Sequence, residues 1–178
     1  EFFFIVSGYL MTAKGMEMAD SELNIGKATE QFMLHKVRRL LPDYYVAWLI
    51  AFITIEAKRM SPLPSTIKSI IFSIPELLFI HGSGIAGHRY NSVTWYISAM
   101  LLAMLVLYPL LIKFRDTFTC VIAPLICITV YGYMYQSFDM GISGPTIWVG
   151  VAFKGALRGV AGIALGAVVY QVVSHLRN

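Results

Sequence analysis

The sequence predicts an all-α fold, a polytopic bundle of about four to six transmembrane helices, one of them re-entrant. Three observations predict it. Hydrophobic residues make up 57% of the chain and charged residues 13%, with a mean hydropathy of +0.68; soluble domains run at about 45–50% and about 25%. Apolar runs of membrane-spanning length recur, separated by short breaks that carry Pro, Gly or charge. Basic residues gather at the ends of these runs, the pattern of cytoplasmic membrane edges. The net charge of +4 suits an anionic leaflet and is weak ground for nucleic-acid binding.

Residues 2–11 are apolar or small but supply only about half of a span. The expectation is therefore a single transmembrane domain over 1–178 that is incomplete at its N-terminus, with the rest of this helix upstream of Glu1. Residues 12–31, with Lys14, Lys27 and several acids, read as a solvated loop. His35, Lys36, Arg38 and Arg39 then abut an apolar run at 40–55, which places a cytoplasmic membrane edge there, with Pro42 in the helix's first turn. Glu56, Lys58 and Arg59, followed by Pro62 and Pro64, end it.

Ile67, Ile70, Ile71, Ile74, Leu77 and Leu78 recur at helical spacing over about fourteen residues, too few to span, and Lys68, Pro75 and Glu76 interrupt them. A re-entrant or interfacial helix is expected. Three spans follow at 93–112, 118–135 and about 157–173. If the 67–80 helix does not cross, Lys113, Arg115 and Arg177 share a side with the Lys36 cluster and the loop around Asp139 lies opposite, as the positive-inside rule requires.

Charges within or beside spans are the informative residues, because each is costly unless paired or facing water. Arg158 sits at the mouth of the last span and reads either as an anion-binding or proton-handling group or as an arginine snorkelling to the interface. Gly155, Gly159, Gly162 and Gly166 align on one face and should let helices approach closely. Lys36, Arg38 and Arg39 could hold a phosphate, or could simply anchor the cytoplasmic edge; His35 extends the cluster. Gly82, Gly84 and Gly87 match G-x-G-x-x-G, but no strand–helix unit surrounds them. Ser83 is in no nucleophile elbow, and His81 and His88 lack the further ligands a metal needs, so no metal site is expected. Cys120 and Cys127, about 10 Å apart along a helix, are too distant for a disulfide.

Four blocks then resemble the acyltransferase-3 family, multispan O-acyltransferases of bacterial surface glycans. Residues 1–11, with Ser7 and Gly8 in a Phe-rich run, resemble its second helix, with Tyr9 where Phe is usual. Residues 32–45 resemble the basic motif entering the third helix, Arg39 matching its second arginine and Lys36 standing where the first usually is. Asn91 to Met100, including Trp95, resembles a later block, with Met100 in the position of a glutamate. The span bearing Arg158 and Gly166 resembles a later helix.

The resemblance implies transfer of an acyl group, usually acetyl, from acyl-CoA to a hydroxyl of a cell-surface or lipid-linked glycan at the bacterial inner membrane. Acyl-CoA would be a co-substrate, with no bound cofactor. It implies that Lys36, Arg38 and Arg39 meet the CoA phosphates, that Arg158 contacts an oxyanion or other anion, and that Asn91 and Trp95 lie on the acceptor side. The catalytic histidine would lie upstream of Glu1, so these 178 residues alone are expected to be inactive. A transporter or flippase is the rival reading, prompted by the Pro and Gly interruptions and the lone Arg158.

Overall fold

The computed structural model describes residues 1–18, 24–60, 62–81, 90, 95–137, 148–149 and 152–177. Seven helices are described: α1 (Phe2–Met16), α2 (Ile25–Arg59), α3 (Leu63–Phe72), α4 (Ile74–Leu77), α5 (Trp95–Thr117), α6 (Ala123–Ser137) and α7 (Lys154–Arg177). A π turn, Phe118–Ile122, joins α5 to α6, and Trp148–Val149 pairs antiparallel with Ala152–Phe153 just before α7. The expected helical bundle is present, with that two-residue ribbon as its only strand pairing among the described residues. Three helical runs are long and apolar enough to cross a membrane: α2, the α5–α6 run and α7.

Contacts between helices fix their directions. Phe4 meets Trp95, and Gly15 lies against Leu111, so α1 and α5 run parallel. Gly162 lies against Phe4, and Tyr9 meets Tyr170, so α7 runs parallel to both. Thr119 hydrogen-bonds Gln171 while Cys127 donates to the Ala161 carbonyl, so α6 runs back the other way. The reversal occurs at Arg115, whose φ of 38° and ψ of −106° break the helix. Phe32 of α2 stacks on Tyr108 at 4.0 Å, and Tyr44 packs on Phe79, whose carbonyl accepts from Ser98; α2 is therefore antiparallel to α5.

One end of the bundle consequently carries Lys14, Lys27, Lys113, Arg115 and Arg177; we refer to it as the basic end. At the opposite end, α3 has ten residues, about 15 Å by helical rise and half a bilayer core. After a break at Ser73, α4 adds one turn. Tyr44 and Tyr45 donate to the carbonyls of Glu76 and Leu77 at 2.7 and 3.3 Å, which ties α4 to the side of α2. The α3–α4 segment thus does not cross, and Lys113, Arg115 and Arg177 share an end, the expected topology.

Two expectations are corrected. Residues 12–16 and 25–31 are helix rather than loop. Thr12 continues α1 because its hydroxyl donates to the Gly8 carbonyl at 2.9 Å, which lets a polar side chain sit fully buried. Asn24 caps α2 by accepting from the Lys27 N–H at 3.0 Å, and good helix formers follow. Pro42 is not in a first turn, since α2 runs through it for 35 residues. Its missing N–H costs the Arg38 carbonyl its helical partner, a loss that packing along α2 outweighs.

Beyond α4, Tyr90 is clasped by two carboxylates. Its N–H donates to Glu76 at 3.1 Å and its hydroxyl to Glu56 at 2.9 Å, while Trp48 and Phe52 flank its ring. Burial pushes the phenol above its ordinary value and the neighbouring Glu56 carboxylate adds to the shift, so Tyr90 remains the donor. Tyr90→Phe is expected to cost about 1–2 kcal/mol by leaving a buried carboxylate oxygen short of a donor. A lowered Tm of the detergent-purified protein checks this; an unchanged Tm contradicts it.

Candidate functional site: a cationic cavity between two helices

Helix α1 packs on α5 and α7, whereas α2 packs on α5. Between α1 and α2 lies a cavity of about 840 Å³, within the usual range for small-molecule sites. Its α2 wall is a single helical face: Gln31 and Phe32, His35 and Lys36, Arg39 and Leu40, then Asp43. Leu10 and Lys14 of α1, Met18 just beyond its end and Tyr108 of α5 complete it. The Tyr108 hydroxyl reaches the Met18 sulfur at 3.2 Å, and Arg115 donates to the Met18 carbonyl at 2.7 Å, fixing the α1 exit beside the mouth.

Depth is what gives this cavity meaning. On the other side of α2, Val37 and Leu41 face Leu101, Leu102 and Leu105 across an apolar cleft of about 330 Å³. That register puts Lys36 and Arg39 beside the middle of the apolar stretch of α5, where the sequence had suggested a membrane edge. The difference arises because α2 begins at Ile25 and pairs with α5 from Phe32 onward. Cations at such depth are tolerable only facing water or an anion, and the cavity supplies that face.

The expected site residues therefore separate. Lys36 and Arg39 meet in the cavity, joined by His35. Arg38, one residue off the helical face, is exposed and does not line it. Lys14, Gln31, Asp43 and Tyr108 line it without having been singled out. Lys14 was hidden by the loop reading of 12–31, whereas Asp43 could have been found, since 35, 39 and 43 follow a four-residue step. Asn91, Ser83, His88 and the loop glycines lie outside the described residues, and His81 is buried at the opposite end. No group of three metal-binding side chains occurs among the described residues.

Arg158 belongs to a different place. Its Nε donates to the Glu1 carboxylate at 2.7 Å and its guanidinium lies over the Trp95 ring at 4.8 Å. It thereby joins the starts of α1, α5 and α7. Contact with an oxyanion would require sharing or releasing Glu1. Arg158→Gln is expected to destabilise by roughly 1–3 kcal/mol, below a fully buried pair because both side chains keep some solvent exposure. Adding Glu1→Gln should recover part of the lost Tm; a further drop contradicts the pairing.

The remaining motif residues are structural. A Cβ on Gly8 would fall on the Ile163 carbonyl group, and one on Gly166 would lie 2.6 Å from the Tyr9 nitrogen. Gly159 and Gly162 bring α7 equally close to Ala99 and Phe4, as the four-glycine face predicts; Gly155 is buried. Ser7 is half-buried beside this seam. Met100, in the position where a glutamate is usual, is buried in the apolar core, where a carboxylate would need a partner.

A helical bundle with three helical runs of membrane-spanning length and a cation-lined cavity between α1 and α2 defines a multispan membrane protein. The whole chain, residues 1–178, matches the acyltransferase-3 family model, described as an acyltransferase domain. The chain belongs to this family of membrane acyltransferases. Searches of curated proteins and of solved structures returned no match.

Proposed function

We propose that the chain forms the donor-binding part of a membrane O-acyltransferase that moves an acyl group, acetyl in the simplest case, from acyl-CoA to a hydroxyl of a cell-surface or lipid-linked glycan. One observation carries this reading: Lys36 and Arg39 face a cavity of about 840 Å³ between α1 and α2 whose lining also includes Lys14 and Met18, near the basic end. By the positive-inside rule that end is cytoplasmic, where acyl-CoA is available, and the membrane is then the cytoplasmic one. Guanidinium and ammonium groups on one wall suit the donor's phosphates.

In the transfer, the acceptor hydroxyl oxygen attacks the thioester carbonyl. A C–O bond forms, the C–S bond breaks, and the hydroxyl proton passes by way of a base to the departing thiolate, giving an ester and free CoA. The chain's own part is to bind and orient the donor, with Lys36 and Arg39 on phosphate and Tyr108 beside them. Arg38 is removed from the donor contacts in this proposal because it faces away from the cavity. Arg158 is assigned a positioning role at the opposite, acceptor end, through Glu1 and Trp95.

The test is transfer of radiolabelled acetyl from acetyl-CoA to extracted envelope glycan, by membranes containing the full-length protein. Transfer that depends on Arg39 supports the proposal. Gradient-driven substrate uptake without any acyl transfer would replace it with the transport reading.

A further inference from the structure

The cations lining the cavity stand on two walls and at two levels. Lys36 and Arg39 are on α2, whereas Lys14 is on the last turn of α1. Helix α5 packs on both helices and gives them a common scale. Phe32 of α2 stacks on Tyr108, and Gly15 of α1 lies against Leu111 and Ile112, about one turn nearer the basic end. Lys14 therefore lies on the basic-end side of Phe32, while by helical rise Lys36 and Arg39 stand about 6 Å and about 10 Å beyond Phe32 in the other direction. Lys14 makes no ion pair among the described residues. The contacts of Met18, one turn on, with Tyr108 and Arg115 hold this end of α1 beside the cavity. Among the described residues lining the cavity the one carboxylate, Asp43, lies beyond Arg39, at the far end from Lys14.

We infer that Lys14 binds the 3′-phosphate of the donor's ribose and makes the cavity selective for CoA thioesters over their 3′-dephospho counterparts. The inference rests on the donor reading above. An acyl-CoA carries phosphate in two places: a diphosphate that joins adenosine to the long thioester arm, and a single phosphate on the ribose, on the side of the diphosphate away from the thioester. With the thioester directed away from the basic end, the diphosphate falls on Lys36 and Arg39. The ribose phosphate then falls nearer the basic end, at the level of Lys14. An ammonium on a flexible four-carbon stem acts as a point charge, which suits a terminal phosphate that can be approached from several directions. The contact is a charge-assisted hydrogen bond, so it adds affinity only for a donor that carries this phosphate.

The experiment is competition binding to the full-length protein in membrane vesicles, with labelled acetyl-CoA displaced by unlabelled acetyl-CoA or 3′-dephospho-acetyl-CoA. The native protein is expected to bind acetyl-CoA about tenfold or more tightly than the dephospho compound. Lys14→Gln should bring the ratio near one by weakening acetyl-CoA alone, with affinity for the dephospho compound held within about threefold. Lys14→Arg should keep the preference, and Lys36→Ala should weaken both compounds alike. A lysine that only holds a helix end at a membrane edge would leave the ratio unchanged in Lys14→Gln, and that result overturns the role of Lys14. Equal weakening of both compounds by Lys14→Gln overturns it too, since the residue would then act through the cavity's net charge. A native protein that binds both compounds equally overturns it without any variant. Absence of saturable acyl-CoA binding by the native protein overturns the donor reading itself and the inference with it.

Discussion

Gly166→Val is expected to abolish the folded bundle. At Gly166 the α7 backbone runs against the α1 backbone: an added Cβ would meet the Ile5 carbonyl oxygen and lie 2.6 Å from the Tyr9 nitrogen and 2.8 Å from the Gly8 carbonyl carbon. Side-chain obstructions can rotate away, but these are main-chain atoms of a helix, so the two helices must separate. In a bilayer, lipid replaces any lost apolar contact without penalty, so close packing is what holds such helices together. Separation would also open the Arg158–Glu1 and Tyr9–Tyr170 contacts. Overpacking costs about 1–3 kcal/mol where neighbours yield, and about 3 kcal/mol or more is expected here because they do not. Gly8→Val should act alike, its Cβ falling on Ile163. Gly132 has open space around it, and Gly132→Ala should be harmless. Recovery of monodisperse protein in detergent checks all three; normal recovery of Gly166→Val contradicts the seam.

The second large effect is on donor affinity. Replacing both Lys36 and Arg39 by alanine should weaken acetyl-CoA binding by about a hundredfold or more, since a hydrogen bond to a charged group contributes about 1.5–3 kcal/mol and each 1.4 kcal/mol is tenfold. Arg39→Ala should cost more than Lys36→Ala, because a guanidinium can grip a phosphate with two hydrogen bonds and an ammonium acts as a point charge. Arg38→Ala should change affinity by less than about threefold, since Arg38 does not face the cavity. Equal losses at 38 and 39 would mean that the cluster acts through net charge alone, without the geometry described.

Much of the bundle was legible because membrane spans announce themselves by length and apolarity. The spans at 93–112, 118–135 and 157–173 match α5, α6 and α7 to within a few residues. The glycine face was legible too, since residues 155, 159, 162 and 166 return to one side of any helix. Less visible was where helices continue through polar sequence. Thr12 and Asn24 keep α1 and α2 helical by local hydrogen bonds that composition does not reveal. Pro42 looked like a boundary because propensity disfavours it, and tertiary contacts on both sides of it prevail.

The site was half legible for the same reason. Basic residues next to an apolar run look like a membrane edge, and only the Phe32–Tyr108 stack reveals that Lys36 and Arg39 lie beside the middle of the apolar run of α5. The division between Arg38 and Arg39 follows from helical phase and could have been read from residue numbers once α2 was known to be helical throughout. Glu1 as the partner of Arg158, 157 positions apart, could not.

The central claim is that Arg39 faces the cavity between α1 and α2 and that acyl-CoA enters this cavity from the basic end. The direct measurement is modification of Arg39→Cys, in a Cys120→Ser background, by a membrane-impermeant thiol reagent applied to each side of oriented vesicles. The predicted result is modification from the side bearing Lys113 and Arg177, blocked by acetyl-CoA, with no such protection for Arg38→Cys. An Arg39→Cys protein that reacts only from the opposite side, or that acetyl-CoA fails to protect, would contradict the account.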